Sequence, residues 1–347
     1  MYVFTGCMNA ELSPSLYLCE FHEEDGSLTL VNSYSDMSKS SYLAVDASRN
    51  TVYAVGMDFE NEGAAASYLF NPDTKTLQLV SKQATLGKNP IYISTDPDST
   101  VLFAANFAGG SITALPLKPE GIMEDVSCCI SFEVHHIGVG SKNKSHPHSI
   151  VVDPTNRYVV VPDLGTDRLY IYEIDYAHYD LKLKQTLFVE PGSGPRHFVF
   201  HPTKPCAYMI NEYNSTITVF TYDASQCGLE IVQTVSTLPM GFDGINKCAD
   251  ILISPCGKYV YGSNRGHDSI VQFRISESGF LTYVEHISSG GKKPRSMAAS
   301  PSGKYLLVAN EGDNHVATFV IDQQTGSLTP ASHLSLESSP ICIKFMI

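Results

Sequence analysis

Short runs of apolar residues recur along the chain, each four to six residues long and bounded by turn-forming residues. Tyr158-Val-Val-Val-Pro, Tyr259-Val-Tyr-Gly-Ser and Tyr305-Leu-Leu-Val-Ala are rich in β-branched and aromatic side chains. A second kind of run follows each, as in Leu169-Tyr-Ile-Tyr-Glu, Ile217-Thr-Val-Phe-Thr, Ile270-Val-Gln-Phe-Arg and Val316-Ala-Thr-Phe-Val. Another comes after a glycine turn, as in Gly26-Ser-Leu-Thr-Leu, Gly279-Phe-Leu-Thr-Tyr and Gly326-Ser-Leu-Thr-Pro. No stretch has the 3.6-residue period of an amphipathic helix, so the pattern predicts strands joined by tight turns.

The turns themselves repeat. Val152-Asp-Pro-Thr-Asn-Arg, Phe200-His-Pro-Thr-Lys-Pro, Ile253-Ser-Pro-Cys-Gly-Lys and Ala299-Ser-Pro-Ser-Gly-Lys align, and Val45-Asp-Ala-Ser and Thr95-Asp-Pro-Asp complete the set. Anchored on Ala47, Pro97, Pro154, Pro202, Pro255 and Pro301, the units are 46 to 57 residues apart. Four strands in a unit of about 50 residues is the pattern of a β-propeller blade. The last segment, Pro340 to Ile347, aligns with Pro294 to Pro301 and is one inner strand. Its missing second strand is supplied by Met1-Tyr-Val-Phe-Thr, so six internal blades and one shared by the two termini make seven. The expectation is an all-β, seven-bladed propeller of four antiparallel strands per blade, one domain over 1–347. Sharing a blade between the termini removes two free sheet edges. The absence of Trp excludes a WD-type repeat.

Composition then narrows the partners. With 23 Lys and Arg against 36 Asp and Glu, the net charge is −13. That excludes nucleic acid, whose phosphates need a basic surplus, and a polybasic membrane contact. No run approaches the length of a membrane span, and the N-terminus reads as no signal peptide. Nine scattered cysteines, odd in number and without CxxC pairs, fit a reduced, cytoplasmic protein.

In a four-stranded meander the start of the inner strand and the end of the second strand share one face. Residues six before each anchor and nine or ten after it therefore gather at one channel mouth. Six before stand Ser41, Ile91, His148, Arg196, Ala249 and Arg295. Nine after stand Gly56, Asn106, Asp163, Asn211, Asn264 and Asn310; ten after, Met57, Phe107, Leu164, Glu212, Arg265 and Glu311. Asn and Asp also end strands as turn formers, which accounts for much of the Asn set. Arginine has no turn role, and three around one axis predict a pocket for a small anionic molecule. Glu212 and His148 are the two candidate bases. His197 and His201 lie four apart on one strand and share a face.

Other signals weigh little. The histidines His135, His136, His146, His148, His197 and His201 have no zinc-ligand spacing, so neither metal nor other cofactor is expected. Gly290-Gly-Lys-Lys lacks the phosphate-loop pattern, and His267-Asp-Ser cannot stack into a catalytic relay along extended chain.

Ser145-His-Pro-His-Ser, Pro162-Asp-Leu-Gly-Thr-Asp, Gly194-Pro-Arg-His-Phe and Ala249-Asp-Ile resemble the propeller-type lactonase family. Asn211-Glu, Ser263-Asn-Arg-Gly-His-Asp-Ser and Pro294-Arg with Val308-Ala-Asn-Glu extend the resemblance over nearly the whole chain. The N-terminal blades are looser: Ser41 and Ile91 stand where later blades carry His or Arg, and Met57 and Phe107 where they carry Glu or Arg. What the resemblance implies is hydrolysis of a phosphorylated sugar lactone, 6-phosphogluconolactone. It carries catalytic positions onto His148, Arg196, Glu212 and Arg265. Asp163, His197, Asn211, Asp250, Asn264, Arg295, Asn310 and Glu311 are the expected substrate contacts. In that scheme two of Arg196, Arg265 and Arg295 hold the phosphate. Glu212 or His148 activates water and the other protonates the leaving alkoxide. The remaining Arg, with Asn211 or Asn264, stabilises the oxyanion. A lactonising cycloisomerase acting on a carboxylated muconate and a non-catalytic interaction propeller are the alternatives. The segment 126–144, which lengthens one repeat, is a candidate contact for the latter. The oligomeric state is left open by the sequence.

Overall fold

Each repeat turn is closed by the side chain just before its anchor. In the computed structural model, which describes residues 1–8, 13–58, 60, 62–132 and 144–346, Asp153 accepts from the backbone N–H of Thr155, Arg157 and Tyr158 at 2.7–3.0 Å. Asp96 accepts from Thr100 and Val101, and His201 Nδ1 from Thr203 and Lys204. Ser254 and Ser300 do the same for Tyr259 and Tyr305. One polar acceptor satisfies the amides that a sharp turn would otherwise strand, which is why Asp, His or Ser recurs there.

These turns punctuate seven four-stranded antiparallel sheets. Blades I to VI cover 39–84, 90–131, 151–188, 195–236, 247–288 and 294–335, and blade VII combines 339–346 with 2–34. As expected from the ends of the chain, the C-terminal strand is innermost in blade VII. It pairs with the N-terminal strand from Tyr2 opposite Met346 to Met8 opposite Ser339. Inner strands of successive blades contact one another from blade IV round through blade VII to blade III, and blade III meets the inner strand of blade IV through its second strand.

The hydrophobic pattern follows from the packing of blade on blade. Second strands such as Val101–Asn106, Tyr158–Asp163 and Tyr305–Asn310 are buried along their whole length, since both faces meet a neighbouring blade. They therefore read as continuous apolar runs. Outermost strands such as Leu328–Ser335 are largely exposed and polar. The core lies between blades: Tyr158, Val160 and Leu169 of blade III pack with Phe198, Met209 and Phe220 of blade IV. Full burial of each such side chain contributes about 1.5–3 kcal/mol.

A second repeated feature prepares the site. The pairing of inner with second strand slips by one residue at Ser41, Ile91, Arg196, Ala249–Asp250, Arg295 and Ile341. In blade III the Pro147–Asp163 bridge and the Val151–Val152 strand are offset the same way around His148. Each slip is a β-bulge, which breaks the alternation of faces and re-aims a side chain. The bulged residues are the positions six before the anchors.

Segment 133–143, with His135 and His136, lies outside the described residues. No helix among the described residues is long and apolar enough to cross a membrane.

Candidate active site

The bulges turn their side chains into one cavity at the channel mouth. It is lined by Met8, Lys39, Ser41, Tyr42, Asn89, Ile91, His148, Arg196, His197, Arg295 and Ile341, and holds about 460 Å³ of empty space including its opening. Five of the six positions expected six before the anchors are there; the sixth, Ala249, contributes its carbonyl, which accepts from Arg196 Nη1. Arg196 and His197 are consecutive, yet both line the cavity, which only the bulge between them permits.

Arg196 is buried and almost fully engaged. Its Nε donates to Glu212 Oε2 at 3.1 Å and its Nη1 to His197 Nε2 at 3.2 Å as well as to the Ala249 carbonyl. Nη2 takes no hydrogen bond among the described residues. Glu212 also meets Arg265 Nη2 at 2.9 Å and Lys247 Nζ at 3.6 Å. Burial alone would raise the Glu212 pKa, but Arg196, Arg265 and Lys247 together outweigh it and keep the carboxylate ionised. Burial and the charges of Arg265 and Arg295 push Arg196 down to about 9, against the pull of Glu212, so it is still cationic at neutral pH. Arg295 pairs with Glu311 at 3.1 Å.

Beneath Arg196 lies a buried relay. His197 accepts from Arg196 at Nε2, so Nδ1 carries the proton and donates to Asp250 Oδ1 at 2.7 Å. Asp250 is itself held by the Met297 and Ile251 N–H groups at 2.8 and 3.0 Å. Burial and the Arg196 charge lower the His197 pKa to about 4, so the ring is neutral. The edges of Tyr42 and Tyr92, stacked on each other at 4.2 Å, close against it.

His148 differs from the paired carboxylates and arginines of the mouth. Burial, then the Arg196 and Arg295 charges, hold its pKa well below the ordinary histidine value. Its backbone is fixed by a bond to the Pro162 carbonyl at 2.9 Å, but neither ring nitrogen has a hydrogen-bond partner among the described residues, and Nδ1 is buried. A neutral imidazole with an uncommitted lone pair can accept a proton.

The remaining sequence candidates are placed elsewhere. Asn211 donates to Thr216 and Thr218, Asn264 to Ser269 and the Thr237 carbonyl, and Asn310 to the Ser289 carbonyl. Asp163 accepts from Ser145 Oγ and the His146 and Gly165 amides at 2.6–3.0 Å. None of these four lines the cavity; they tie strand ends and connectors together. Sequence reasoning missed Lys39, Asn89, Met8 and Tyr42. The first two stand eight before their anchors, two positions ahead of the row inspected, and Tyr42 is brought in by the bulge at Ser41. Among the described residues no cluster of His, Cys, Asp or Glu is arranged to hold a metal.

Comparison with known proteins agrees with the propeller fold. The family model described as "Lactonase, 7-bladed beta-propeller" matches residues 2–345. The 6-phosphogluconolactonase of Bacillus subtilis is 28% identical, over 96% of this chain and 95% of its own. A Bacteroides fragilis crystal structure with 6-phosphogluconolactonase as a provisional name is 30% identical, with a TM-score of 0.89 over 99% of this chain and 97% of that one. The periplasmic gluconolactonase PpgL of Pseudomonas aeruginosa is 29% identical, with a TM-score of 0.90 over 99% and 98% of the two chains.

Proposed function

The chain belongs to the lactonase family of seven-bladed β-propellers and is a lactone hydrolase, and from that premise we propose that its substrate is a phosphorylated sugar lactone, 6-phospho-D-glucono-1,5-lactone, opened to 6-phosphogluconate. The names of the Bacillus and Bacteroides relatives and a cavity lined by three cations and no carboxylate support the phosphorylated substrate. The observation that carries the catalytic assignment is the contrast between the two candidate bases. Glu212 is committed to two arginines, whereas His148 is neutral and uncommitted at the cavity wall.

In the reaction His148 takes a proton from water as its oxygen adds to the lactone carbonyl. The oxyanion that forms is met by the free Nη2 of Arg196, whose other donors are pinned by Glu212, His197 and Ala249. Donors held in place before the reaction need not reorganise during it, and their strength grows in a water-poor site. Collapse of the adduct breaks the bond between the carbonyl carbon and the ring oxygen, and protonated His148 returns its proton to that oxygen. The neighbouring cations that depress its pKa make this return favourable. Glu212 and Arg265 hold Arg196, and Asp250 and His197 act through it rather than on substrate. Asn211, Asn264, Asn310 and Asp163 shape the mouth by fixing strand ends. The cytoplasmic location expected from the sequence rests on the nine cysteines, all free in the structure; the Pseudomonas relative is periplasmic by name.

The test follows the decay of 6-phosphogluconolactone, generated in place by glucose-6-phosphate oxidation, against its spontaneous rate. Acceleration by the wild type that falls about 10²–10⁴-fold in His148→Gln is expected. Decay no faster than in buffer would remove the substrate assignment. Full activity in His148→Gln would remove its role as base.

A further inference from the structure

The cations of the mouth are unequal in what they have left to offer a ligand. Arg196, Arg265 and Lys247 all face the Glu212 carboxylate, and Arg295 faces Glu311. Lys344, deeper in the channel, lies over the Tyr42 ring at 4.7 Å. Lys39 lines the cavity and makes neither an ion pair nor a side-chain hydrogen bond among the described residues. Its position is built by the backbone. Blades II to VI carry Asn or Asp nine after the anchor, but blade I carries Gly56. A Cβ there would fall 1.8 Å from the Lys39 carbonyl oxygen, so only glycine lets this strand end lie so close. The equivalent lysine of blade V, Lys247, is given to Glu212, and that of blade VI, Lys293, does not line the cavity.

We propose that Lys39, with Arg295 two blades away, is the anchor for the anionic phosphate of the substrate. This rests on the reading of the site as one for a phosphorylated lactone and says where the phosphate sits. An ammonium with no carboxylate of its own gives its full charge to an incoming phosphate, while an arginine already in an ion pair gives only part. The location suits the chemistry. Lys39 and Arg295 stand on blades I and VI, flanking blade VII, and His148 and Arg196 stand across the channel on blades III and IV. In a 6-phosphorylated δ-lactone the phosphate-bearing carbon and the carbonyl lie on opposite sides of the ring oxygen. A substrate spanning the mouth with its phosphate on Lys39 therefore turns its carbonyl toward His148 and Arg196.

Two measurements test the anchor. The ratio of kcat/KM for 6-phosphogluconolactone to that for unphosphorylated glucono-1,5-lactone should fall about 10- to 100-fold in Lys39→Met, mostly through KM, and recover in large part in Lys39→Arg. An unchanged ratio in Lys39→Met overturns the proposal. Calorimetric titration with inorganic phosphate needs no turnover: binding to the wild type that weakens about tenfold or more in Lys39→Met supports the anchor. Equal binding to the two proteins, or none to the wild type, overturns it. A wild type that binds phosphate through Lys39 but accelerates neither lactone would defeat the functional reading and leave the anchor standing.

Discussion

The two halves of the channel mouth share one backbone and carry different chemistry. Blades III, IV and VI present His148, Arg196 and Arg295 from their bulges, with Glu212, Arg265 and Asp250 packed behind. Blades VII, I and II present Ile341, Ser41 and Ile91 from equivalent bulges, with Met8 beside them and Tyr42 stacked on Tyr92. Seven copies of a bulge supply seven inward-pointing positions, and the fold does not distinguish among them. The distinction lies in the side chains. One arc is a network of charges whose members hold each other in place. The other is an apolar and aromatic wall that keeps water from competing with that network, with Lys39 and Asn89 at its rim. A site with charges on every blade would repel itself or solvate itself; the apolar half is what makes the charged half strong.

Unequal consequences of substitution follow. After His148→Gln, the largest loss is expected from Arg196→Met, which removes the Nη2 donor and leaves Glu212 short of a partner: lactonase activity should drop about 10²–10³-fold. Ile91→Ala on the facing arc should cost no more than about a few-fold under the same assay. Equal losses on the two arcs would break the comparison.

Acid should weaken the charged arc next. His197 has a folded-state pKa of about 4, below its unfolded value of about 6.5, so the unfolded chain binds more protons between those values. The stability this group contributes is complete above about pH 6.5 and is lost as pH falls toward 4. By pH 5 about 2 kcal/mol is gone on its account, and His148, depressed in the same sense, adds to the loss. Urea midpoints at pH 7.5 and 5 should therefore differ for the wild type and differ less for His197→Gln. A pH-independent midpoint would mean that neither ring is held neutral by burial.

A smaller effect on the charged arc separates positioning from contact. Asp250→Asn should lower kcat about tenfold, the worth of one lost hydrogen bond to the relay, with little change in KM. A rise in KM with kcat intact would instead make Asp250 a substrate contact, as the sequence resemblance suggested.

Much of this molecule was legible from its sequence because repetition turns weak signals into strong ones. A single Ser-Pro-Ser-Gly-Lys turn says little, but six turns at even spacing, each with an acceptor just before the anchor, announce a propeller and its closure through Tyr2 and Met346. The same arithmetic placed His148, Arg196 and Arg295 at one mouth. Three things needed the tertiary structure. The bulges, invisible in the sequence because they change register and not residue type, decide that Arg196 and His197 face the cavity together. The Asn residues looked like ligand contacts, yet Asn211, Asn264 and Asn310 spend their donors on neighbouring strands and connectors. The charge of a residue type is written in the sequence, but whether that charge is already neutralised is not. Only the distances from Glu212 to Arg196 and Arg265, and the lack of any such partner for His148 and Lys39 among the described residues, divide the groups that hold the site from those left to act on a ligand, because electrostatic interaction falls with separation in space and not along the chain.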